Sequence, residues 1–209
     1  MSRNPRVLAI NPQNPEPNLV RQAAEIARKA VPVLFPTDTV YGIGIAAFKD
    51  SSLEPLYVIK ERDRDKAIPW LVSGVQDLQA YGVEVPDYAI RLAEKHWPGA
   101  LTLIVKASDA VPGKFRAQDG SIALRAPDCP IALALIEELD VPLATSSANL
   151  QGQEPPTCFE AISAVLLRQV ELAIDGGECL QKLSSTIVSC LGDEPQIVRL
   201  GALSLAELW

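Results

Sequence analysis

One histidine, His96, occurs in the 209 residues. That scarcity excludes a histidine-rich metal centre and leaves any Ser-His-Asp triad resting on a single residue. His96 stands between Lys95 and Trp97, where a helix is expected to end, a position suited to capping or packing. The four cysteines, Cys129, Cys158, Cys179 and Cys190, form no CxxC pair and no short ligand spacing. They read as reduced, buried small hydrophobes. No apolar run reaches membrane-spanning length, and Met1-Ser2-Arg3-Asn4-Pro5 opens no signal-peptide h-region. A soluble, cytoplasmic protein without a membrane partner is expected. An excess of positive charge is missing too: the net charge of −7 argues against a broad nucleic-acid footprint. A local basic pocket drawn from Lys60, Arg62, Arg64, Lys66, Arg125 and Arg199 stays open. Internal repeats, low-complexity tracts and linkers are absent as well.

What is present is a large apolar fraction, 48%, enough to bury a sizeable core in one domain covering 1–209. Residues 1–17 hold several prolines and asparagines and read as an extended lead-in. Asn18 is placed to cap a helix to about Ala30, with Leu19, Ala23, Ile26, Ala27 and Ala30 on its buried stripe. Strands are expected at 31–35, 40–47, 68–72, 101–105, 121–125, 141–144, 171–174, 187–189 and 196–199. Further helices are expected at 52–61, 75–81, 86–96, 130–139 and 157–168, with a terminal turn at 204–208 and a surface loop at 107–120. Strands and helices interleave as in an α/β sheet. The adjacent short strands 31–35 and 40–47 point to mixed parallel and antiparallel pairing, a twisted sheet with flanking helices.

The stretch from Pro36 to Lys66 organises the chain. A strand ends in Thr37-Asp38-Thr39 and resumes with glycines at Gly42 and Gly44, which expose main chain to whatever packs there. Gly42-Ile43-Gly44-Ile45-Ala46-Ala47 fits the dinucleotide pattern G-x-G-x-x-A, but no helix opens at the second glycine, so a nicotinamide site is not expected. Lys60 and Arg62 lie two apart and share a face of an extended segment, an anion seat in outline. The bland alternative is a solvated charge run, with Lys60 complementing a helix dipole. Ser121-Ile122-Ala123-Leu124-Arg125 alternates so that Arg125 shares a face with Ser121 and Ala123. An inward arginine there would need a carboxylate or phosphate partner. Thr145-Ser146-Ser147-Ala148-Asn149 follows a strand and offers small hydroxyl and amide donors, as a ligand cradle or as an ordinary polar turn.

Six short motifs occur in order: Pro36-Thr37-Asp38-Thr39-Val40-Tyr41-Gly42-Ile43-Gly44, Lys60-x-Arg62, Trp97-Pro98-Gly99-Ala100-Leu101-Thr102-Leu103, Ala123-Leu124-Arg125-Ala126-Pro127, Ser147-Ala148-Asn149 and Ser185-Thr186-Ile187-Val188. Together they resemble the YrdC-type threonylcarbamoyl-AMP synthase family over about residues 18–201, in its short single-domain form. The resemblance implies a twisted mixed sheet around a basic cavity. It implies a nucleotidyltransferase that joins L-threonine, bicarbonate or CO₂, and ATP into threonylcarbamoyl-adenylate, releasing pyrophosphate. The product would feed tRNA threonylcarbamoyladenosine modification through downstream transferase proteins. The family pattern places Lys60, Arg62, Ser147 and Asn149 at the phosphates, and Thr37, Arg125 and Ser185, with Ser147, at threonine. Ser121, Thr145, Thr157 and Arg199 would line the ATP side. Magnesium is expected with the triphosphate.

The residue chemistry is compatible with this. Carbamate forms from amine and CO₂ without much catalysis, and the hard step brings two anions together at the α-phosphate. Cations and rigid donors suffice, so the lack of a catalytic histidine is no objection. Two departures stand out. Asp63 follows Lys60-x-Arg62 where the family often has proline, and Lys66-Ala67-Ile68-Pro69 replaces a Lys-Pro-Leu entry to the next strand. The chain ends at Trp209, where longer members carry an extra C-terminal domain, so a short form is expected. Two other classes stay open: an RNA-binding module of the same fold, and a sister enzyme making an adenylate from another amine or from carbamoyl phosphate.

Overall fold

The computed structural model describes residues 5–60 and 68–209. The expected helix end at Glu61 and the charge run through Lys66, Arg62 included, lie outside the described residues.

The described strands form one sheet: β1 (Arg6–Ala9), β2 (Val33–Phe35), β3 (Gly42–Ala46), β4 (Trp70–Leu71), β5 (Leu101–Lys106), β6 (Ser121–Arg125), β7 (Leu143–Ser147), β8 (Leu172–Asp175), β9 (Thr186–Ser189) and β10 (Gln196–Arg199). Their spatial order is β1-β8-β2-β3-β7-β4-β6-β5-β9-β10. Pairing is mixed, as the adjacent short strands predict: β2–β3 and β3–β7 are antiparallel, while β2–β8, β4–β6 and β5–β9 are parallel. The helices are α1 (Pro17–Ala27), α2 (Glu54–Lys60), α3 (Val75–Tyr81), α4 (Asp87–His96), α5 (Pro130–Leu139), α6 (Ala164–Leu167) and α7 (Leu205–Leu208).

Pleating sorts the core onto two faces. Leu34, Ile43, Ile45, Trp70 and Leu101 pack on one side with Leu56 of α2 and Leu92 of α4. Val33, Phe35 and Leu143 pack on the other with Ala23, Ala24 and Ala27 of α1 and Ile131 and Leu135 of α5. The glycines of β3 serve this second face. A Cβ on Gly44 would stand 2.8 Å from Thr145 Oγ1 and 3.1 Å from the Phe35 ring, so what comes close to the main chain is the β7 threonine and that ring.

Several expectations are corrected. The lead-in contains a strand, β1, which pairs in parallel with β8; only Leu8 of its residues is buried, so its pattern carried no periodic signal. Pro17, not Asn18, opens α1, which stops at Ala27, while Ala30 takes a left-handed conformation at φ 54°. α2 begins at Glu54 and not at 52: Ser51 donates to the Ala46 carbonyl oxygen at 2.7 Å, and Ser52 Oγ accepts from the Glu54 N–H at 3.2 Å. The polar run Thr145-Ser146-Ser147 belongs to β7 itself, because it pairs with Gly42, Ile43 and Gly44 across the ladder. The helix expected over 157–168 is a 3₁₀ turn at Phe159–Ala161 followed by the short α6, capped by Ser163. The loop at 107–120 is not wholly superficial: Val111 and Phe115 are buried, and Phe115 meets the Trp70 ring edge-on at 5.1 Å. His96 ends α4, its Nε2 3.2 Å from the Leu208 carbonyl oxygen, the packing role expected of it. All four cysteines are unpaired thiols. None of the described helices is long and apolar enough to cross a membrane.

The turn after β10 fixes the start of β9. Thr186 Oγ1 donates to the Leu203 carbonyl oxygen at 2.6 Å and accepts from Gly201 N–H at 2.9 Å. A Cβ on Gly201 would lie 2.1 Å from the Ser184 carbonyl oxygen and 2.6 Å from that of Ser185, both backbone. Gly201→Ala is therefore expected to destabilise the fold by about 3 kcal/mol. Calorimetry should show a melting temperature lower by about 6–12 °C.

Candidate active site

The loop between β2 and β3 is folded around one hydroxyl. Thr37 Oγ1 accepts from the N–H groups of Thr39 and Val40 at 3.2 Å each and donates to the Val40 carbonyl oxygen at 2.6 Å. Such a turn satisfies a buried backbone that leaves its strand. Tyr41 anchors the far end: its hydroxyl donates to the Gly177 carbonyl oxygen at 2.9 Å and accepts from Gly176 N–H at 3.1 Å. Burial raises the Tyr41 phenol well above its ordinary range, so it stays protonated.

Arg125, closing β6, faces this loop. Its Nη2 pairs with Asp38 Oδ1, its Nη1 donates to Thr39 Oγ1 at 2.8 Å, and its Nε donates to the Gly99 carbonyl oxygen at 2.9 Å. The inward arginine thus has the carboxylate partner that its position in the strand demanded. Burial pushes the Asp38 carboxyl above its usual value, with Arg125 pulling the other way. Burial likewise lowers Arg125 from the usual guanidinium range, Asp38 opposes that, and Arg199 adds a smaller depression by like-charge repulsion.

Arg199, at the end of β10, donates from Nη2 to the Ser185 carbonyl oxygen at 2.8 Å, and Ser185 Oγ lies 2.8 Å from Thr102 Oγ1. On β7, Ser147 Oγ donates to Asn149 Oδ1 at 2.5 Å, and Asn149 Nδ2 donates to the Gln153 carbonyl oxygen at 2.6 Å. Lys60, buried at the end of α2, donates from Nζ to the Ser147 carbonyl oxygen at 2.6 Å, to Asn149 Oδ1 at 2.9 Å, and to the Asn149 carbonyl oxygen.

These elements enclose a hollow of about 200 Å³. Strands from the middle and from one edge of the sheet share it, so the sheet must curl, as its twist allows. Of the residues the sequence singled out, Thr37, Arg125, Thr145, Ser147, Ser185 and Arg199 line it. Lys60 and Asn149 stand behind its wall, joined to it through Ser147. Ser121 is not in the lining: it lies four residues from Arg125, about 13 Å along β6, where its N–H donates to Asp119 Oδ1 at 2.9 Å. Thr157 is not in the lining either; its carbonyl oxygen accepts from Cys179 N–H at 2.7 Å.

Thr39 and Ser146, which the sequence offered only within the hydroxyl loop and the polar run, also line the hollow; the sequence reading missed Thr102 and Ser184 in the lining and Asp38 behind Arg125. For Asp38 the signal existed, since an inward arginine needs a carboxylate; for the hydroxyls, burial alone separates them from surface serines. Eight serines and threonines border the hollow, and the charged side chains among its described lining are Arg125 and Arg199. Guanidinium groups among small hydroxyls offer the donors that anions and small polar groups pair with. Among the described residues no group of three or more histidine, cysteine, aspartate or glutamate side chains is placed to hold a metal ion.

The Sua5/YciO/YrdC family model, described as "Telomere recombination", matches residues 25–201. The chain belongs to this family. Sua5/YciO/YrdC relatives include the threonylcarbamoyl-AMP synthase of Bacillus subtilis, 35% identical over 90% of this chain and 55% of that protein. The synthase of Pyrococcus abyssi is 33% identical over 90% of this chain and 56% of its own length. The chain thus spans a little over half of each. The uncharacterized protein YciO of Escherichia coli is 32% identical over 92% of this chain and 93% of that protein. Among solved structures, Pyrococcus abyssi Sua5 complexed with L-threonine superposes with a TM-score of 0.91, covering 97% of this chain and 59% of that one at 32% identity. Escherichia coli YciO superposes with a TM-score of 0.89, covering 98% and 100% at 29% identity.

Proposed function

We propose that the chain is an ATP-dependent nucleotidyltransferase that makes threonylcarbamoyl-adenylate from L-threonine, bicarbonate or CO₂, and ATP. The observation that carries this reading is the hollow itself, bordered by Arg125 and Arg199 and by eight small hydroxyl side chains. It suits an amino-acid carboxylate beside a phosphate. The names of the synthases at 33–35% identity, and the threonine in the Pyrococcus abyssi structure, support it.

In this reading Arg125, Thr37 and Ser185 receive threonine, and Thr145 and Arg199 lie toward the nucleotide. Lys60, Ser147 and Asn149, with Arg62, form the phosphate side. The threonine amine adds to CO₂ and gives up a proton to solvent. A carbamate oxygen then attacks the α-phosphorus, and the bond to the β-phosphate oxygen breaks, releasing pyrophosphate. The guanidinium and hydroxyl donors lower the repulsion between the two anions, a preorganised electrostatic contribution. ATP enters as its magnesium complex, a substrate. The hydroxyls of the hollow donate to phosphate oxygens and supply no strong metal ligand. The product would pass to a threonylcarbamoyl-transferase acting on tRNA.

The test is pyrophosphate release with each component omitted in turn. Release should require ATP, L-threonine and bicarbonate together. Release without an amino acid, or none with all three, would overturn the proposal. A second reading is the same chemistry on another amine. Thermal stabilisation by each amino acid with ATP separates the two.

A further inference from the structure

Asp38, the described carboxylate paired with Arg125, is left unused by the reaction. It does not line the hollow, yet it is 4% exposed and lies against Arg125, itself 6% exposed. A carboxylate in that place is costly on two counts: it must be desolvated, and it competes for Arg125 with any anion that enters. Three hydrogen bonds then fix the guanidinium from three directions: the Gly99 carbonyl oxygen on Nε, Thr39 Oγ1 on Nη1 and Asp38 on Nη2. A guanidinium carries five N–H donors, so one on each terminal nitrogen is left over among the described residues. Those two N–H groups are what Arg125 can still offer an entering anion.

The holders are themselves held. Gly99 N–H donates to the Ala126 carbonyl oxygen at 2.8 Å, which ties Gly99 to the residue after Arg125. Thr39 Oγ1 is 2.9 Å from Thr37 Oγ1, in the loop that lines the hollow. Asp38 is the one charged member of the set, and a carboxylate holds a guanidinium more rigidly than either neutral acceptor.

We infer that Asp38 is a positioning residue for the amino-acid substrate: it locks the orientation of the Arg125 guanidinium, which lines the hollow. This rests on the proposed reading, in which Arg125 takes the amino-acid carboxylate. Prepaying the orientation of a long side chain lowers the cost of binding. The effect acts on amino-acid affinity and leaves the nucleotide side alone.

The test is steady-state pyrophosphate release by the full chain and its Asp38→Asn and Asp38→Ala variants, with threonine and ATP varied separately. Asp38→Asn keeps an acceptor without its charge and should raise the apparent KM for L-threonine about tenfold; Asp38→Ala should raise it about a hundredfold. The KM for ATP should stay within about twofold and kcat within about threefold, a split that general loosening of the fold would not produce. Unchanged or tighter threonine binding in the variants would overturn the inference. In the unsubstituted protein, ¹⁵N spectra should resolve separate Nη signals for Arg125, assigned by Arg125→Lys, before any ligand is added. One averaged signal from a freely rotating guanidinium would also overturn it, whether or not the variants fold. The two failures are distinguishable. If the unsubstituted protein does not bind L-threonine, the functional reading fails; if it binds and Asp38→Ala binds equally, only the role of Asp38 fails.

Discussion

Arg125→Met is expected to lower stability by about 3–5 kcal/mol, because it leaves Asp38 buried without its counter-charge. The melting temperature should fall by roughly 6–20 °C for a chain of this size. Methionine fills much of the volume, so the loss reports charge and hydrogen bonding more than a cavity. Pairing it with Asp38→Leu should recover most of the loss, since replacing both ions leaves no uncompensated charge. The pH dependence has a definite sign. Burial already holds the Asp38 carboxyl above its usual value, and Arg125 opposes that; without Arg125 it rises further. The folded variant then binds more protons than the unfolded chain between the ordinary carboxylate range and that raised value. Stability therefore falls as pH rises through that window, and the gap to the unsubstituted protein narrows as pH is lowered. Chemical denaturation at several pH values checks this. A gap that widened toward acid would contradict the buried pair.

Lys60→Met should give the other large effect, on turnover. The ammonium gathers the Ser147 and Asn149 carbonyl oxygens and Asn149 Oδ1 around one point. Without it the two carbonyl oxygens lose this donor, at about 1–3 kcal/mol for a group left unsatisfied, while Asn149 Oδ1 keeps only Ser147 Oγ. The segment from the end of β7 at Ser147 to Asn149 then loses its fixed shape. Three oxygen dipoles, no longer neutralised, also stand close to where a triphosphate would lie. A fall in pyrophosphate release of about a hundredfold or more is expected, the scale seen when a preorganised electrostatic group is removed. Circular dichroism should show the fold retained. Lys60→Arg should restore little, since a planar fork cannot place its donors on three converging oxygens. Full turnover in Lys60→Met would remove the lysine from the proposed machinery.

How legible this was in the sequence varies with the kind of signal. Period-two alternation in Ser121–Arg125 and the apolar run of Pro130–Leu139 give β6 and α5 their observed limits, because burial on one face writes itself into the residue pattern. β1 left no such trace: its residues are mostly exposed and its place is set by pairing with β8, distant in sequence. The same holds for Thr145–Ser147, whose hydroxyls look like a turn until the ladder with β3 is seen. Thr157–Arg168 reads as a helix by composition, yet Pro156 precedes it and the chain turns twice before α6. Convergence of Thr37, Arg125, Ser147 and Arg199 is a property of strand order, which local patterns do not encode. The pairing of Asp38 with Arg125 was implied by physics, since a buried cation requires an anion, but which carboxylate answers is fixed only in three dimensions.

The strand order carries a consequence for how the molecule matures. Thr37 follows the second strand in sequence and Arg199 closes the tenth, while the strands between them are shuffled across the sheet. Thr37, Arg125 and Arg199 meet at the hollow from remote parts of the polypeptide. Such contacts are slow to form, because a long loop must close before any of them is rewarded. The full lining of the hollow therefore exists only once these remote strands have met in the sheet.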